Sequence, residues 1–189
     1  MFFVEYAGPI LITVLLLVFR KQIYSSSKPL TFTQKIGTAM VLGHYVKREL
    51  ETLLVHRFSS ETMPLVNIFK NSAHYWILFG ICNMYWFLKP NDQTSSKTHT
   101  LILAGFFLLF EMLNLKTHLI LKNLRKEGST ERGIPRGWGF NQVSSANYLW
   151  EAGAWLSFAL LAKVWGSWLF LAFSTGQMLL WALKKHKRY

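Results

Sequence analysis

The stretch Phe140–Glu151, which reads FNQVSSANYLWE, joins a loop rich in glycine and basic residues to a long apolar segment. If a helix begins near Ala146, the spacing of Asn147, Tyr148 and Glu151 puts these three side chains on one face. An amide, a phenol and a carboxylate at the mouth of an apolar helix are costly in a membrane and tend to be functional. The stretch therefore predicts a membrane helix that opens on a functional site.

The composition limits the class of protein. The chain has 189 residues, of which 51% are hydrophobic and 16% aromatic, and its formal net charge is +12. This length suits one domain, and the apolar runs with many aromatic rings indicate a membrane protein rather than a soluble nucleic-acid-binding domain. The positive charge then favours an anionic lipid or a phosphate-bearing ligand as partner. Cys82 is the single cysteine, so an intrachain disulfide is excluded.

Six apolar or amphipathic runs predict an all-α, polytopic membrane helix bundle with about six transmembrane helices, in which residues 1–189 form one domain. The predicted segments are Phe2–Phe19, Lys35–Phe58, Ala73–Leu88, Leu101–Leu113, Tyr148–Lys163 and Val164–Leu183. The basic loop 116–142 and the basic chain end favour the cytosol, which places the unusual polar residues around one cytosol-facing site. The loop Arg20–Lys35, with four basic residues, then lies on the far side against this rule, so the second segment is left open as one that does not cross fully.

Several polar positions allow two interpretations each. Glu5 either lies at the water interface or faces the bundle interior. The stripe of His44, Arg48 and Glu51 either faces other helices and a wet cavity or belongs to a solvated interfacial helix. The basic loop 116–142 is either an ordinary cytoplasmic loop or a clamp for phosphates.

Known catalytic and nucleotide-binding motifs do not decide between these interpretations. The sequence contains no P-loop, no GxSxG and no HExxH, and its six histidines are scattered, so no metal site is predicted. Tyrosines, carboxylates, arginines and asparagines near membrane mouths remain. They permit a lipid-processing reductase or a transferase without selecting one.

Four segments resemble the very-long-chain trans-2-enoyl-CoA reductases of the steroid 5-alpha-reductase family, and the resemblance covers nearly the whole chain. They are EYAGP (Glu5–Pro9), HYVKRELETLLVHRFSSETMPLVNIFKN (His44–Asn71), NLKTHLILKNLRKEG (Asn114–Gly128) and VSSANYLWE (Val143–Glu151). The resemblance implies a multi-pass endoplasmic-reticulum enzyme that uses NADPH. Its substrate would be very-long-chain enoyl-CoA, reduced at the trans-2 double bond in the last step of fatty-acid elongation. Membrane lipid and the other elongation enzymes are the further partners implied.

The resemblance also implies the roles of individual residues. Tyr148 matches the tyrosine that enoyl-CoA reductases need, as the donor of a proton to the α-carbon. Glu5 is similar in place to the carbonyl-polarising acid, and Tyr45 and Arg48 match the substrate-side helix, so Glu5 and Tyr45 join Tyr148 as catalytic candidates. The residues implied to bind the cofactor are Asn114, His118, Arg125, Arg132, Asn147, Glu151, His186 and Tyr189.

The sequence departs from the family pattern in places. His118 stands where the steroid branch has an aspartate, and Gly133 where it has an arginine; Ser145 and Ala146 stand where many enoyl-CoA reductases have cysteine and proline. The ubiquitin-like N-terminal domain of the enoyl-CoA branch is expected to be absent. Two other functions stay open: a non-catalytic membrane scaffold of the elongation complex, and a steroid or polyprenol double-bond reductase.

Overall fold

The computed structural model describes residues 2–55, 65–91, 95–124 and 133–187, and within these ranges the chain is helical with no strand. The prediction of an all-α fold is therefore confirmed. The helices are α1 (Phe2–Val18), α2 (Arg20–Tyr24), α3 (Phe32–Leu54), α4 (Leu65–Ser72), a π-helix (Ala73–Asn83), α5 (Met84–Leu88), α6 (Lys97–Asn123), α7 (Ala146–Ala162) and α8 (Trp165–His186). Three predicted cofactor residues, Arg125, Arg132 and Tyr189, lie outside the described residues.

Two long apolar helices of the bundle expose apolar faces. By length and composition, α6 and α8 are the described helices able to cross a membrane, and α1 is a shorter apolar helix. Large apolar side chains point outward from both long helices, including Leu108, Met112 and Phe173, each about 60% exposed. Lipid rather than water is the solvent that suits such faces. The number of six transmembrane helices remains a prediction.

An aromatic cluster holds the helices together. The ring of Phe79 on the π-helix lies 4.9 Å from Trp155 on α7 and 4.7 Å from Phe170 on α8, measured between ring centres. Tyr45 on α3 joins the cluster at 5.2 Å from Phe79 and 5.8 Å from Trp155. Most of these pairs are edge-to-face, an arrangement that contributes about 0.5–1.5 kcal/mol per pair beyond the burial of apolar area.

The start of α8 packs directly on the backbone at the end of the π-helix. A Cβ atom at Gly166 would lie only 2.7 Å from the carbonyl oxygen of Cys82. The neighbouring Ser167 hydroxyl donates a hydrogen bond of 2.6 Å to the Oδ1 atom of Asn83. The two helices therefore approach each other as closely as their backbones allow.

Helix α6 is longer than the sequence predicted. The expected segment ended at Leu113 with a polar loop from residue 116, whereas α6 continues to Asn123, so that boundary was wrong. The last turns of α6 bury Asn114, Thr117 and His118 along one face, at helical spacing. These polar residues suggested a loop, but they lie on a helix face that borders other polar groups rather than lipid.

The segment before the third apolar run also differs from the expectation. The third run was expected to begin at Ala73, but α4 begins at Leu65 and runs directly into the π-helix. A π-helix is wider than an α-helix and occurs often at functional sites. It changes the direction of the side chains that follow Ser72, among them His74 and Tyr75.

The loop Arg20–Lys35 opposed the positive-inside rule, and the structure gives one of its basic residues, Arg20, a structural role. Its side chain is buried, and Nε donates a hydrogen bond of 3.2 Å to the carbonyl oxygen of Leu88. Nη1 donates to the carbonyl oxygen of Lys28. Arg20 therefore satisfies two backbone acceptors, one of them at the end of α5.

The start of α3 is fixed at this same end of the bundle. Thr31 and Gln34 form a capping box, and the Gln34 amide also donates to the carbonyl oxygen of Phe87 at 2.8 Å. The Tyr24 hydroxyl donates to the carbonyl oxygen of Tyr85 at 2.5 Å. Burial raises the pKa of Tyr24, so the phenol keeps the proton that it donates.

Candidate functional site

A cavity of about 700 Å³ opens at the other end of the bundle. This volume falls within the range of roughly 300–1,000 Å³ that is usual for small-molecule sites. Its walls come from the starts of α1, the π-helix and α7, from the ends of α3, α4 and α6, and from most of the length of α8. Seven of the residues predicted from the sequence line it: Glu5, Arg48, Asn114, His118, Asn147, Tyr148 and Glu151.

Helix α7 begins at Ala146, as the sequence predicted, and Asn147, Tyr148 and Glu151 all line the cavity. The loop before it turns at Gly137 and Gly139, whose φ angles of 75° and 99° favour glycine. Because the three polar residues share one face at the first turn of α7, the start of this helix forms one wall of the cavity.

Tyr148 stands beside a cation. Its side chain is partly buried on the cavity wall, and the Lys185 ammonium lies 4.5 Å from the centre of the Tyr148 ring. The Trp181 ring lies 6.1 Å away on α8. A positive charge at this distance stabilises the electron-rich ring.

Arg48 forms the centre of a charged cluster on the wall contributed by α3. Its Nη1 atom lies 2.6 Å from the Glu51 carboxylate, and its Nη2 atom donates to the Tyr6 hydroxyl at 2.9 Å. The guanidinium also lies 5.1 Å from the centre of the Tyr6 ring. Glu51 is only 2% exposed, so its charge depends on these partners.

His118 completes this cluster from α6. Its Nδ1 atom is 3.0 Å from Glu51 Oε2 and 3.2 Å from Arg48 Nη1. One ring nitrogen can donate to the carboxylate or accept from the guanidinium, but it cannot do both at once. His118 therefore has two alternative hydrogen-bonding states at the cavity wall.

Other parts of the cavity wall carry two further polar pairs. The Asn71 amide donates to Glu5 Oε1 at 3.1 Å, and Glu5 is 1% exposed. His74 Nε2 lies 2.9 Å from the Ser174 hydroxyl. Glu5 therefore faces the bundle interior, one of the two positions that the sequence left open.

Two predicted residues do not line the cavity. Tyr45 is fully buried in the aromatic cluster behind Tyr6 and Tyr75, and its hydroxyl has no hydrogen-bond partner among the described residues. His186 is exposed, and its Nδ1 atom lies 2.7 Å from the hydroxyl of Ser144, a cavity residue. The catalytic role of Tyr45 and the cofactor role of His186 remain predictions.

A buried ionic network behind the wall was missed as part of the site. His44 and Lys47 on α3 both contact Glu111 on α6, at 2.8 and 2.7 Å. The polar stripe of α3 and the single charge in the apolar run of α6 indicated buried polar groups. No local sequence pattern indicated that these groups pair with each other, because His44 and Glu111 are 67 residues apart in the sequence.

The long apolar helices, together with a cavity lined by both polar and apolar side chains, indicate a membrane protein with a candidate ligand site inside its helical bundle. The chain belongs to the 3-oxo-5-alpha-steroid 4-dehydrogenase family, whose model matches residues 61–189. The family resemblance inferred from the sequence is therefore confirmed.

The chain is also similar over its whole length to individual proteins. It is 46% identical to a Schizosaccharomyces pombe protein named as a candidate enoyl reductase, of which it covers 64%. It is 38% identical to the very-long-chain enoyl-CoA reductase of Dictyostelium discoideum and 31% identical to a trans-2,3-enoyl-CoA reductase-like protein of Mus musculus, of which it covers 62% and 55%. The chain thus spans less than two thirds of the length of these relatives.

Proposed function

We propose that this chain reduces the trans-2 double bond of very-long-chain enoyl-CoA to a saturated acyl-CoA with NADPH, the last step of the fatty-acid elongation cycle. The observation that carries the proposal is the position of Tyr148, on the wall of a cavity shared with the Arg48 cluster. The names of the enoyl-CoA reductases to which the chain is similar supply the substrate class.

The cavity offers groups that fit a nicotinamide cofactor. The Oδ1 atom of Asn147 is buried without a hydrogen-bond partner among the described residues, and Glu151 lies one helical turn further on. An amide oxygen and a carboxylate can accept the two N–H bonds of a carboxamide. Lys122 and Lys185 line the cavity near the ends of α6 and α8 and suit the phosphates of the same ligand.

The proposed chemistry divides the reduction between the cofactor and the protein. When bound, the reduced nicotinamide supplies a hydride to the β-carbon of the enoyl thioester. Tyr148 donates its hydroxyl proton to the α-carbon, and Lys185 stabilises the phenolate that remains. Glu5 and Arg48 stand on other parts of the wall, where they can orient the thioester end of the substrate.

We extend the proposal to the setting of the enzyme. Residues 1–189 act as one membrane-embedded reductase domain in the endoplasmic reticulum, with the cavity toward the cytosol. Membrane lipid surrounds the bundle, and the other elongation enzymes supply the substrate. The exposed apolar faces of α6 and α8 support the membrane part of this proposal.

The test is oxidation of NADPH by the purified protein in the presence of a long-chain trans-2-enoyl-CoA. We expect Tyr148→Phe to lower kcat by about 10²–10⁴-fold, because it removes a general acid, and to leave the affinity for NADPH unchanged. Tyr85→Phe is the matched control, since Tyr85 lies outside the cavity beside Tyr24. Full activity of Tyr148→Phe would refute the assigned role.

The same assay separates the two alternatives. If the unaltered protein binds no NADPH yet co-purifies with elongation enzymes, it is a scaffold subunit rather than a reductase. A panel that adds a steroid enone and a polyprenol substrate separates the enoyl-CoA reaction from other double-bond reductions by the ratio of kcat/KM values.

A further inference from the structure

We propose that a closed ring of side chains behind the cavity wall positions Asn147 and Glu151 toward the cofactor, with His44 and Glu111 as its positioning residues. The inference rests on the proposed function, because it assumes that Asn147 and Glu151 contact a nicotinamide ligand. It assigns a role to buried charged groups that do not themselves line the cavity.

The first half of the ring runs through an imidazole. His44 Nδ1 lies 2.8 Å from Glu111 Oε1, and His44 Nε2 lies 3.4 Å from Glu151 Oε1. The side chain of His44 is 2% exposed and that of Glu111 is 8% exposed. His44 therefore links a carboxylate on α6 to a carboxylate on α7.

The second half of the ring runs through a lysine. Lys47 Nζ lies 2.7 Å from Glu111 Oε2 and donates to Asn114 Oδ1 at 2.7 Å. The Asn114 amide then donates to the backbone carbonyl of Asn147 at 2.9 Å. Because Asn147 and Glu151 are one turn apart on α7, the ring closes through this helix.

Each charged member of the ring is paired within it. Glu111 contacts both Lys47 and His44, and Glu151 contacts the other nitrogen of His44. Loss of one charge leaves another buried group without its partner. The orientation of each member therefore depends on the others, and this coupling fixes the first turn of α7.

The geometry at Glu151 favours a role in ligand positioning rather than in stability alone. His44 and the Trp155 indole both contact Oε1, at 3.4 and 3.3 Å. The indole N–H donates a hydrogen bond and His44 makes a close polar contact, both at Oε1, so Glu151 can offer its second oxygen, Oε2, to a ligand donor. The Trp155 ring also packs 4.5 Å from the His44 ring and limits its rotation. His44 thus acts on a ligand through Glu151.

The primary experiment is a double-mutant cycle between Glu111→Gln and Glu151→Gln, read as the Kd for NADPH. Glu111→Gln keeps the volume of the side chain and removes its charge, and Tm is measured beside Kd so that a loss of stability is told apart from a loss of binding. We expect it to raise Kd about 10-fold, as changes in residues that orient a ligating group do. We expect the double variant to bind as weakly as Glu151→Gln alone. Glu49→Gln is the matched control, because Glu49 lies on α3 outside the ring.

A second pair of variants tests the other positioning residue. His44→Ala should raise the Kd for NADPH at least as much as Glu111→Gln and should also lower Tm, because it leaves a void among aromatic rings. His99→Ala is the control, since His99 is exposed at the start of α6. Tm is measured for every variant to separate ligand binding from stability.

The outcomes are distinct. Multiplicative effects of Glu111→Gln and Glu151→Gln on Kd would overturn the proposal, because independent sites are additive in free energy. A lowered Tm with unchanged Kd would also overturn it, since the ring would then be structural only. If the unaltered protein binds NADPH without reducing enoyl-CoA, the proposed function fails while the cycle still decides the inference. Absence of NADPH binding would overturn both.

Discussion

Replacement of Arg48 by methionine tests the charged cluster on the cavity wall. Methionine keeps much of the apolar length of the side chain but cannot donate hydrogen bonds. The variant therefore loses the 2.6 Å ion pair with Glu51 and the 2.9 Å bond to the Tyr6 hydroxyl. The carboxylate of Glu51, which is 2% exposed, keeps its charge without its nearest cation.

The structure gives the size of the expected loss. Removal of one partner from a buried ion pair destabilises a protein by about 3–5 kcal/mol. Two groups near Glu51 offset part of this loss: His118 at 3.0 Å and Lys47 at 3.5 Å. We therefore expect the lower end, ~3 kcal/mol. At ~2–4 °C per kcal/mol for a protein of this size, Tm should fall by ~6–12 °C.

Tryptophan fluorescence during heating is a suitable assay, because the chain contains eight tryptophans. Arg136→Met is the control, since Arg136 is exposed and its replacement should leave Tm unchanged. Combining Arg48→Met with Glu51→Gln should raise Tm above that of Arg48→Met, because the unpaired charge is removed. A Tm for Arg48→Met equal to that of the control would refute this account of the cluster.

Two further predictions concern helix packing and capping. Gly166→Ala should lower Tm, because its new Cβ atom would lie 2.7 Å from the Cys82 carbonyl oxygen and neither backbone can move freely; Gly105→Ala, where a Cβ atom meets nothing within 4 Å, should not. Thr31→Ala should destabilise the start of α3 by ~1 kcal/mol, because it removes the hydroxyl oxygen that accepts from the backbone N–H of Gln34. The measurement is Tm. Equal Tm values for the two glycine variants, or an unchanged Tm for Thr31→Ala, would contradict these expectations.

Local sequence patterns were sufficient to predict which residues of α7 line the cavity. The polar residues Asn147, Tyr148 and Glu151 recur at helical spacing next to an apolar run, and this periodicity alone places them on one face. The two predicted segments that meet at Lys163 and Val164 also agree with the turn between α7 and α8, where Lys163 adopts the left-handed conformation, with φ of 55°. Interactions within a few residues determine both features.

The cavity itself depends on contacts between residues far apart in the sequence. Glu5 meets Asn71, and His44 meets Glu111, across 66 and 67 residues, and no periodicity of one helix contains such pairings. The π-helix adds to this difficulty, because its wider turn redirects His74 away from the angle that α-helical spacing predicts.

The sequence by itself determined that the chain is helical and apolar, which residues are chemically unusual, and where α7 begins. The tertiary structure decided which of those residues share the cavity and which, like Tyr45, lie behind it. The physical reason is that helix formation follows from local spacing and burial of apolar faces. Pairing of buried charges follows instead from the way separate helices pack, since each charge needs a partner that another helix supplies.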